Sequence, residues 1–486
     1  MKLILVNMAD VRDIKPPLGL ATIATYLDKY MGFDKTKIID PTFGNIKKAI
    51  LREKPDIVGI SSMTFEYGDA INLASFVKKK VDAPVMIGGV HISILPASFH
   101  KNFDVGIVGE GEETILELMQ LFKKKGRLDK EELKKIDGLV FYDKDRIVQT
   151  KRRVLIEPLD RIPIPNRKLV NPEYFKKHYT LSLAKPVREA TMVTSRGCPY
   201  RCGFCATSAF WGTSVRFHSA ERVFEEVRTV TEEYNVEHID VWDDLFTINR
   251  QRLKELARLI KKNGFKDKVT LSCSARANLV DDKLCLLLKG INTKSVSMGL
   301  ESGSEKVLSF LKGGSVTVED NKKAMVILKK HGFRVVGTLM FGSPGETIDD
   351  MKETIKLIDF AIKHKVNTLY SFITTPFPGT KIWEIAKQRG KVNDNMWSKA
   401  SHLTEDNPFS MENEAKTYEN PLLLDYSISK DEFKKVFFEA RKRLNKFRYR
   451  FIIDSIRQSP LETLKYLISN PKNTLKSITS ILRGNK

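Results

Sequence analysis

Three cysteines fall within eight residues, Cys198-Pro199-Tyr200-Arg201-Cys202-Gly203-Phe204-Cys205, spaced C-x3-C-x2-C. The chain has five cysteines in 486 residues. A cysteine with partners at both +4 and +7 arises by chance in roughly one such chain in two thousand. Three thiolates on one loop hold three corners of a cubic iron–sulfur cluster and leave its fourth iron open. A structural zinc site needs four closed ligands, and no Cys or His follows at a suitable spacing. The open iron calls for a substrate or cofactor upon it. Cys273 and Cys285 lie in apolar surroundings, Leu271-Ser272-Cys273 and Leu284-Cys285-Leu286-Leu287-Leu288, and read as buried structural thiols rather than catalytic ones.

Such a loop has to be held at a rigid rim, and the flanking pattern supplies one. Strands are expected at Ala190–Thr194, His238–Trp242, Thr270–Ser274, Ser295–Gly299, Arg334–Phe341 and Thr368–Thr374. Helices are expected between them, at Ala220–Tyr234, Arg250–Asn263, Asp281–Lys289, Glu319–His331 and Asp349–His364. Six β/α units fit a partial barrel with its active site at the C-terminal strand ends. The cysteine loop follows the first of these strands. On the third, Ser272, Ser274 and Arg276 share the face expected to point inward, and Cys273 points outward against helices.

Residues 1–150 repeat the alternation. Strands at Lys2–Asn7, Lys37–Ile39, Asp56–Ser61, Val85–Ile87 and Asp104–Val108 alternate with helices at Pro17–Tyr30, Ile46–Glu53, Asp69–Lys80 and Thr114–Lys125. The reading is a five-stranded, parallel, doubly wound α/β domain that binds its ligand at the C-terminal strand ends. Those ends are rich in small and polar residues: Gly59-Ile60-Ser61-Ser62-Met63-Thr64, Gly88-Gly89-Val90-His91 and Gly109-Glu110-Gly111-Glu112. None is G-x-G-x-x-G, so a dinucleotide fingerprint is absent. His91 reads as a packed or hydrogen-bonded loop histidine rather than a metal ligand. Asp137–Ile147 suggests a small hairpin, and the proline-bearing stretch 151–185 a connector.

These motifs together carry a resemblance. Pro16-Pro17-Leu18-Gly19-Leu20, the three strand-end segments above and Glu113-Thr114 make the first 150 residues similar to the N-terminal half of cobalamin-binding radical SAM proteins. Residues 186–400 resemble the radical SAM barrel. Beyond the cysteines they carry Asp243-Asp244-Leu245-Phe246-Thr247, Gly299-Leu300-Glu301-Ser302-Gly303-Ser304, Phe341-Gly342-Ser343-Pro344-Gly345-Glu346-Thr347 and Thr375-Pro376-Phe377-Pro378-Gly379-Thr380. The resemblance implies a [4Fe–4S] cluster on Cys198, Cys202 and Cys205. It implies S-adenosylmethionine on the open iron, cleaved on reduction to a 5′-deoxyadenosyl radical. It places Phe204 along the adenine, and Asp243 and Asp244 near the methionyl amino group. Arg276 falls near the cofactor carboxylate, Glu301 and Ser302 at the ribose, and Gly342 and Gly345 beside the adenine. For cobalamin it implies Ser61, Ser62, Met63, Gly88, Gly89, Gly109 and Glu110. The Asp-x-His-x-x-Gly of the wider cobalamin fold is missing, the loop there being Met8-Ala9-Asp10-Val11-Arg12-Asp13-Ile14-Lys15. Cobalamin is therefore expected base-off, with no histidine ligand.

Composition narrows the setting. The chain is 42% hydrophobic and 29% charged, with a formal charge of +22. No apolar run approaches the ~20 residues of a membrane span. Leu3-Ile4-Leu5-Val6 is too short for a signal-peptide core and reads as a strand. Few cysteines argue for the reducing cytoplasm. From Lys434 to Lys486 there are fourteen Lys/Arg against three acids, so half the charge excess sits in the last fifty-three residues. Residues 401–486 read as a polar stretch, then a long helix over Lys430–Arg457. Two shorter amphipathic helices follow, one on Leu461, Leu464, Leu467 and Ile468 and one on Leu475, Ile478, Ile481 and Leu482. Basic amphipathic helices suit an anionic membrane face, or a lid on the barrel.

The expected function is a cobalamin-dependent radical SAM enzyme acting on an unactivated carbon, by C-methylation or by cyclisation or coupling. A membrane lipid or isoprenoid is the preferred substrate, and a soluble natural product or tetrapyrrole intermediate the alternative. A reductant such as ferredoxin or flavodoxin is the expected electron donor, and no nucleic acid is expected. An RNA-modifying methylthiotransferase would need N-terminal cysteines, and none precedes Cys198. A non-catalytic cobalamin or redox sensor is the remaining class, disfavoured by the intact cysteine triad.

Overall fold

The computed structural model describes residues 1–8, 15–180, 183–399, 428–461 and 464–465. The expected helices beyond residue 465 and the polar stretch before 428 lie outside these. The chain forms two compact units. The first holds Met1–Tyr174, Cys205–Arg216 and the described residues from Pro376 onward. The second holds Phe175–Phe204, Phe217–Thr375 and the described part of the C-terminal region.

In the first unit the strands are β1 (Leu3–Asn7), β2 (Thr36–Ile39), β3 (Ile57–Ser61), β4 (Val85–Gly88), β5 (Val105–Ile107), β6 (Leu139–Asp143) and β7 (Arg146–Gln149), in the order β2-β1-β3-β4-β5-β6-β7. The first five are parallel, as their continuous apolar runs require when helices cover both faces. Leu3, Ile4, Leu5 and Val6 are all buried. The expected hairpin is β6–β7. It joins the same sheet antiparallel to β5 and extends it to seven strands. The order reverses between β1 and β3, and the crevice beyond such a reversal is where open α/β sheets bind ligands. Leu20, Ala24 and Leu27 of the helix Leu18–Met31 and Ile115, Leu118 and Met119 of the helix Glu112–Lys125 pack into one core with β1, β3 and β5.

In the second unit β8 (Lys177–Thr180) runs antiparallel to β9 (Lys185–Met192). Then follow β10 (His238–Val241), β11 (Thr270–Ser274), β12 (Thr293–Glu301), β13 (Arg334–Phe341) and β14 (Thr368–Ile373). From β9 to β14 each strand pairs parallel with the next, in chain order. This is the open radial sheet of a partial barrel, with six parallel strands and an added edge strand. Its helices start where the sequence provides caps: Ser219 for Ala220–Tyr234, Asn249 for Arg250–Lys262, and capping boxes at Thr317/Asp320 and Thr347/Asp350. The helix Lys430–Gln458 has a third box at Ser429/Glu432. It lays Phe433, Phe437, Ala440, Leu444 and Phe447 inward, with Phe437 edge-on to Phe341.

Candidate active site

The loop after β9 is tied down by one carboxylate. Asp243, just past β10, accepts from Thr194 N (2.5 Å), Thr194 Oγ1 (2.5 Å), Ser195 N (3.1 Å) and Ser195 Oγ (2.6 Å). Arg252 Nη2 lies 3.5 Å from it, and the carboxylate has no exposed surface. Asp243 thus fixes the strand end from which the cysteine loop departs. Its neighbour Asp244 is exposed and accepts from Gly197 N at 3.1 Å. The two adjacent carboxylates thus lie in opposite environments, one buried and one exposed, although the resemblance implied one role for both.

Arg276 points to the same loop. Its Nη1 donates to Cys202 Sγ at 3.3 Å, its guanidinium stacks 3.8 Å from the Tyr200 ring centroid, and Nη2 donates to Ser315 Oγ. A guanidinium on the sulfur complements negative charge there. Cys273 faces the other way, fully buried, and burial pushes its thiol far up. Cys285 is also buried, its thiol pushed up to about 11.

Beyond Arg276 lies Glu301, whose φ of +56° is rare for a residue with a Cβ. Its Oε1 takes a 2.8 Å ion pair from Lys312 Nζ, both side chains under a tenth exposed. Lys312 Nζ also sits 5.4 Å from the Phe204 ring centroid. Sequence reasoning missed Lys312, because only the fold brings it beside Glu301. Ser302 is buried, its hydroxyl between Thr354 Oγ1 and Ser304 N, both 3.1 Å away. After β13, Glu346 Oε2 accepts from Gly342 N (2.5 Å) and Ser343 N (3.0 Å). Burial holds the Glu346 carboxyl up at about 8. Gly345 has φ +74°, and a Cβ there would meet nothing within 4 Å.

The inner face carries a second constellation that was only half legible. His238 lies between Thr270 Oγ1 (2.8 Å) and Ser272 Oγ (3.1 Å). Ser272 donates to Asp240 Oδ1 at 2.5 Å, and Trp242 Nε1 donates to Asp240 Oδ2 at 2.7 Å. The chain of bonds starts at a fully buried histidine and ends at an indole that is half exposed. Phe372 at the end of β14 is equally exposed.

In the first unit the expected cobalamin residues divide. Met63 is exposed, and Ser61 and Gly88 are half-buried. Gly109 has φ +89° and open space where a Cβ would be. Ser62 and Gly89 instead face each other, since a Cβ on Gly89 would lie 2.5 Å from Ser62 O. Glu110 is buried in an ion pair with Arg216. His91 is buried too, its ring tilted against Tyr67 at 4.0 Å between centroids and 3.0 Å from Ser98 Oγ, and burial lowers its pKa to about 3.

Comparison with known proteins bears on both units. Residues 4–119 match the B12 binding domain, and residues 192–358 match the radical SAM superfamily. An uncharacterized methyltransferase of Pyrococcus horikoshii is 34% identical over 393 residues, covering 79% of this chain and 81% of its own. The chain belongs to the cobalamin-binding radical SAM family. Cytidylyl-2-hydroxyethylphosphonate methyltransferase of Streptomyces wedmorensis is 28% identical over 434 residues, 78% of this chain and 79% of its own. In fold the chain resembles the radical S-adenosylmethionine methyltransferase TsrM from Kitasatospora setae, solved with cobalamin and a [4Fe–4S] cluster. The TM-score is 0.68 at 20% identity, covering 80% of this chain and 75% of that one.

This membership makes the protein an enzyme whose family cofactors are a [4Fe–4S] cluster, S-adenosylmethionine and cobalamin. The donor chemistry fits them. Cys198, Cys202 and Cys205 are in no disulfide, each is partly exposed, and one already has a guanidinium on its sulfur. Among the described residues no three His, Cys, Asp or Glu side chains stand as a ready metal-ligand set, the three thiols of this loop included, so the fit rests on their chemistry and spacing rather than on a preformed geometry. Asp244 and Gly345 leave polar and open approaches at the rim of the second unit. The first unit offers Met63 and the bare turn at Gly109, while its buried His91 is turned away from solvent. No described helix is long and apolar enough to cross a membrane.

Proposed function

We propose that this enzyme methylates an unactivated carbon of a hydrophobic substrate, a membrane lipid or isoprenoid being the preferred class. The observation that carries the methyl-transfer reading is the 34% identity, over four-fifths of the chain, to a protein described as a methyltransferase. Cys198, Cys202 and Cys205 hold the cluster. Asp244, Arg276, the Glu301–Lys312 pair and the Gly342–Gly345 turn orient S-adenosylmethionine, with Phe204 beside it. Met63, Ser61, Gly88 and Gly109 would receive cobalamin. Bound there, these groups supply hydrogen abstraction from carbon and a methyl group to replace it. The cluster takes its electron from an external donor.

Around them the residues of this chain bind, orient and exclude water. Asp243 and Arg252 keep the loop rigid, Arg276 offsets charge on the sulfur, and Trp242 and Phe372 present apolar surface on the open sheet. The hydrophobic substrate class is supported by those two exposed rings and by the basic C-terminal region. Ile453, Ile456, Leu461 and Leu464 are about half exposed or more, among the Lys and Arg that suit an anionic bilayer surface. A hopanoid C-3 methylase of Methylococcus capsulatus is a relative at 24% identity. Cyclisation is the second reading, favoured by relatives named as magnesium-protoporphyrin IX monomethyl ester cyclases.

The test is anaerobic reconstitution with iron, sulfide and hydroxocobalamin under a strong reductant. 5′-Deoxyadenosine should form, and Cys202→Ala should abolish it with the first unit still folded. Its absence in the reconstituted wild type refutes the enzyme reading. Lipid profiles of a strain lacking the gene should lose a methyl-bearing species, 14 mass units above its precursor by the arithmetic of one CH2. Unchanged lipids refute the substrate class, and a difference of two hydrogens favours cyclisation.

A further inference from the structure

The Gly109-Glu110-Gly111 turn was expected to meet a ligand, but its acid is spent inside the protein. Glu110 Oε1 lies 3.0 Å from Arg216 Nη2, and Oε2 lies 2.9 Å from Arg216 Nη1. The pair is two-pronged, and the side chains are 2% and 4% exposed. It is also closed on the backbone, since Ile156 N donates to Glu110 Oε2 at 2.7 Å and Arg216 Nη1 donates to Ile156 O at 2.7 Å. The Arg216 guanidinium lies 5.6 Å from the Trp211 ring centroid.

Arg216 closes the short segment that begins with Cys205. The segment belongs to the first unit by its contacts, although 106 residues separate Arg216 from Glu110 in the chain. Two lesser ties hold its middle. Arg152 Nη2 donates to Phe210 O at 2.6 Å, and a Cβ on Gly379 would lie 2.8 Å from Ala209 Cβ, so only glycine permits that approach. Within the segment Cys205 Sγ lies 3.3 Å from Thr207 Oγ1. A paired and hydrogen-bonded buried charge is a rigid fastener, and removing one partner strands the other in a low dielectric.

We propose that Glu110 and Arg216 are positioning residues for Cys205, fastening the segment that bears the third cysteine to the fold of the first unit. Both side chains are buried against protein atoms, and the pair acts through the backbone of residues 205–216. The inference rests on Cys205 as a cluster ligand, and the controls separate the two claims.

The experiment uses the full chain, reconstituted with iron and sulfide. It reads hydrogen exchange of residues 206–216, iron per chain, and the EPR spectrum after dithionite reduction. In the wild type the cluster signal should be present, and Cys205→Ala should alter or abolish it. If Cys205→Ala leaves the signal native, Cys205 is no ligand and the parent assignment falls. In Glu110→Gln the amides of 206–216 should exchange at least tenfold faster and iron content should fall by half or more. The EPR lines should shift, while strands β3 and β11 keep wild-type protection. Arg216→Lys keeps the charge but loses the two-pronged contact and should move every readout the same way, less far. It carries the test alone should Glu110→Gln not fold. Native iron and EPR in a variant whose 206–216 amides exchange faster overturns the proposal. Wild-type exchange of those amides in both variants overturns it too.

Discussion

Asp243→Asn should unfold the second unit more easily, and should do so before any question of cofactor affinity arises. The Asp243 side chain takes four hydrogen bonds from Thr194 and Ser195 and pairs with Arg252. An asparagine keeps the shape, and its oxygen can still accept from the two backbone N–H groups. It loses the charge that strengthens all four bonds, and its NH2 cannot accept from the hydroxyls. Arg252, 6% exposed, is left without its counter-charge. Breaking a buried pair on one side costs about 3–5 kcal/mol. The rings of Phe217 and Phe246, 4.8 and 5.5 Å from the guanidinium, and its bond to Thr194 O cushion the loss, so the low end, about 3 kcal/mol, is expected. Against a domain stability of about 5–15 kcal/mol this is a large shift in a urea midpoint. Asp244→Asn, at an exposed side chain, should cost less than about 1 kcal/mol and lose S-adenosylmethionine affinity instead. Urea unfolding by circular dichroism and equilibrium dialysis of S-adenosylmethionine give the two readouts. An Asp243→Asn protein that unfolds at the wild-type midpoint yet fails to bind S-adenosylmethionine refutes this division of labour.

Three further outcomes are expected. The Glu346 carboxyl, raised by burial from 4.5 to about 8, binds its proton more tightly folded than unfolded. Stability should therefore fall as pH rises from about 4.5 to 8 and level off above, and Glu346→Gln should flatten this in urea titrations across that window. A double-mutant cycle of Glu301→Gln and Lys312→Met should show each single change costing about 3–5 kcal/mol, with the double change well below their sum. Additive losses would mean that the pair is not coupled. The full chain should float with vesicles of pure phosphatidylglycerol and not of phosphatidylcholine, with salt and Ile453→Asp/Ile456→Asp both weakening the effect. Indifference to lipid charge would remove the membrane-surface reading.

The sequence spoke clearly where chemistry is local. The cysteine spacing, the period-2 strands and the order of strand-end motifs are each contained in a few residues. The outward turn of Cys273 followed from alternation alone. The reading was blunter where meaning depends on a partner far along the chain. Asp243 and Asp244 are the same residue type side by side, and only Thr194, Ser195 and Arg252 separate a buried anchor from an exposed carboxylate. Glu110 sat in a glycine turn that suits a ligand, but its partner lies beyond the cysteine loop. Ser62 and Gly89 follow neighbouring strand ends and look like independent contacts until the backbone approach between them is seen. Lys312 carries no motif at all. The hairpin Asp137–Ile147 was visible as a hairpin, but its place at the sheet edge was not.

A barrel left open has two raw edges, each a row of amide and carbonyl groups able to recruit a strand from another molecule. Here each edge has a neighbour. The short β8, with Lys177 and His178 on it, seals β9 on one side. On the other, the helix Lys430–Gln458 lies along β14, and Arg450 takes the Val366 carbonyl just before that strand at 2.9 Å. The fold thus keeps an incomplete barrel from becoming a seed for aggregation. Trimming the chain before Lys430 would expose β14, and its first symptom would be loss of solubility rather than loss of chemistry.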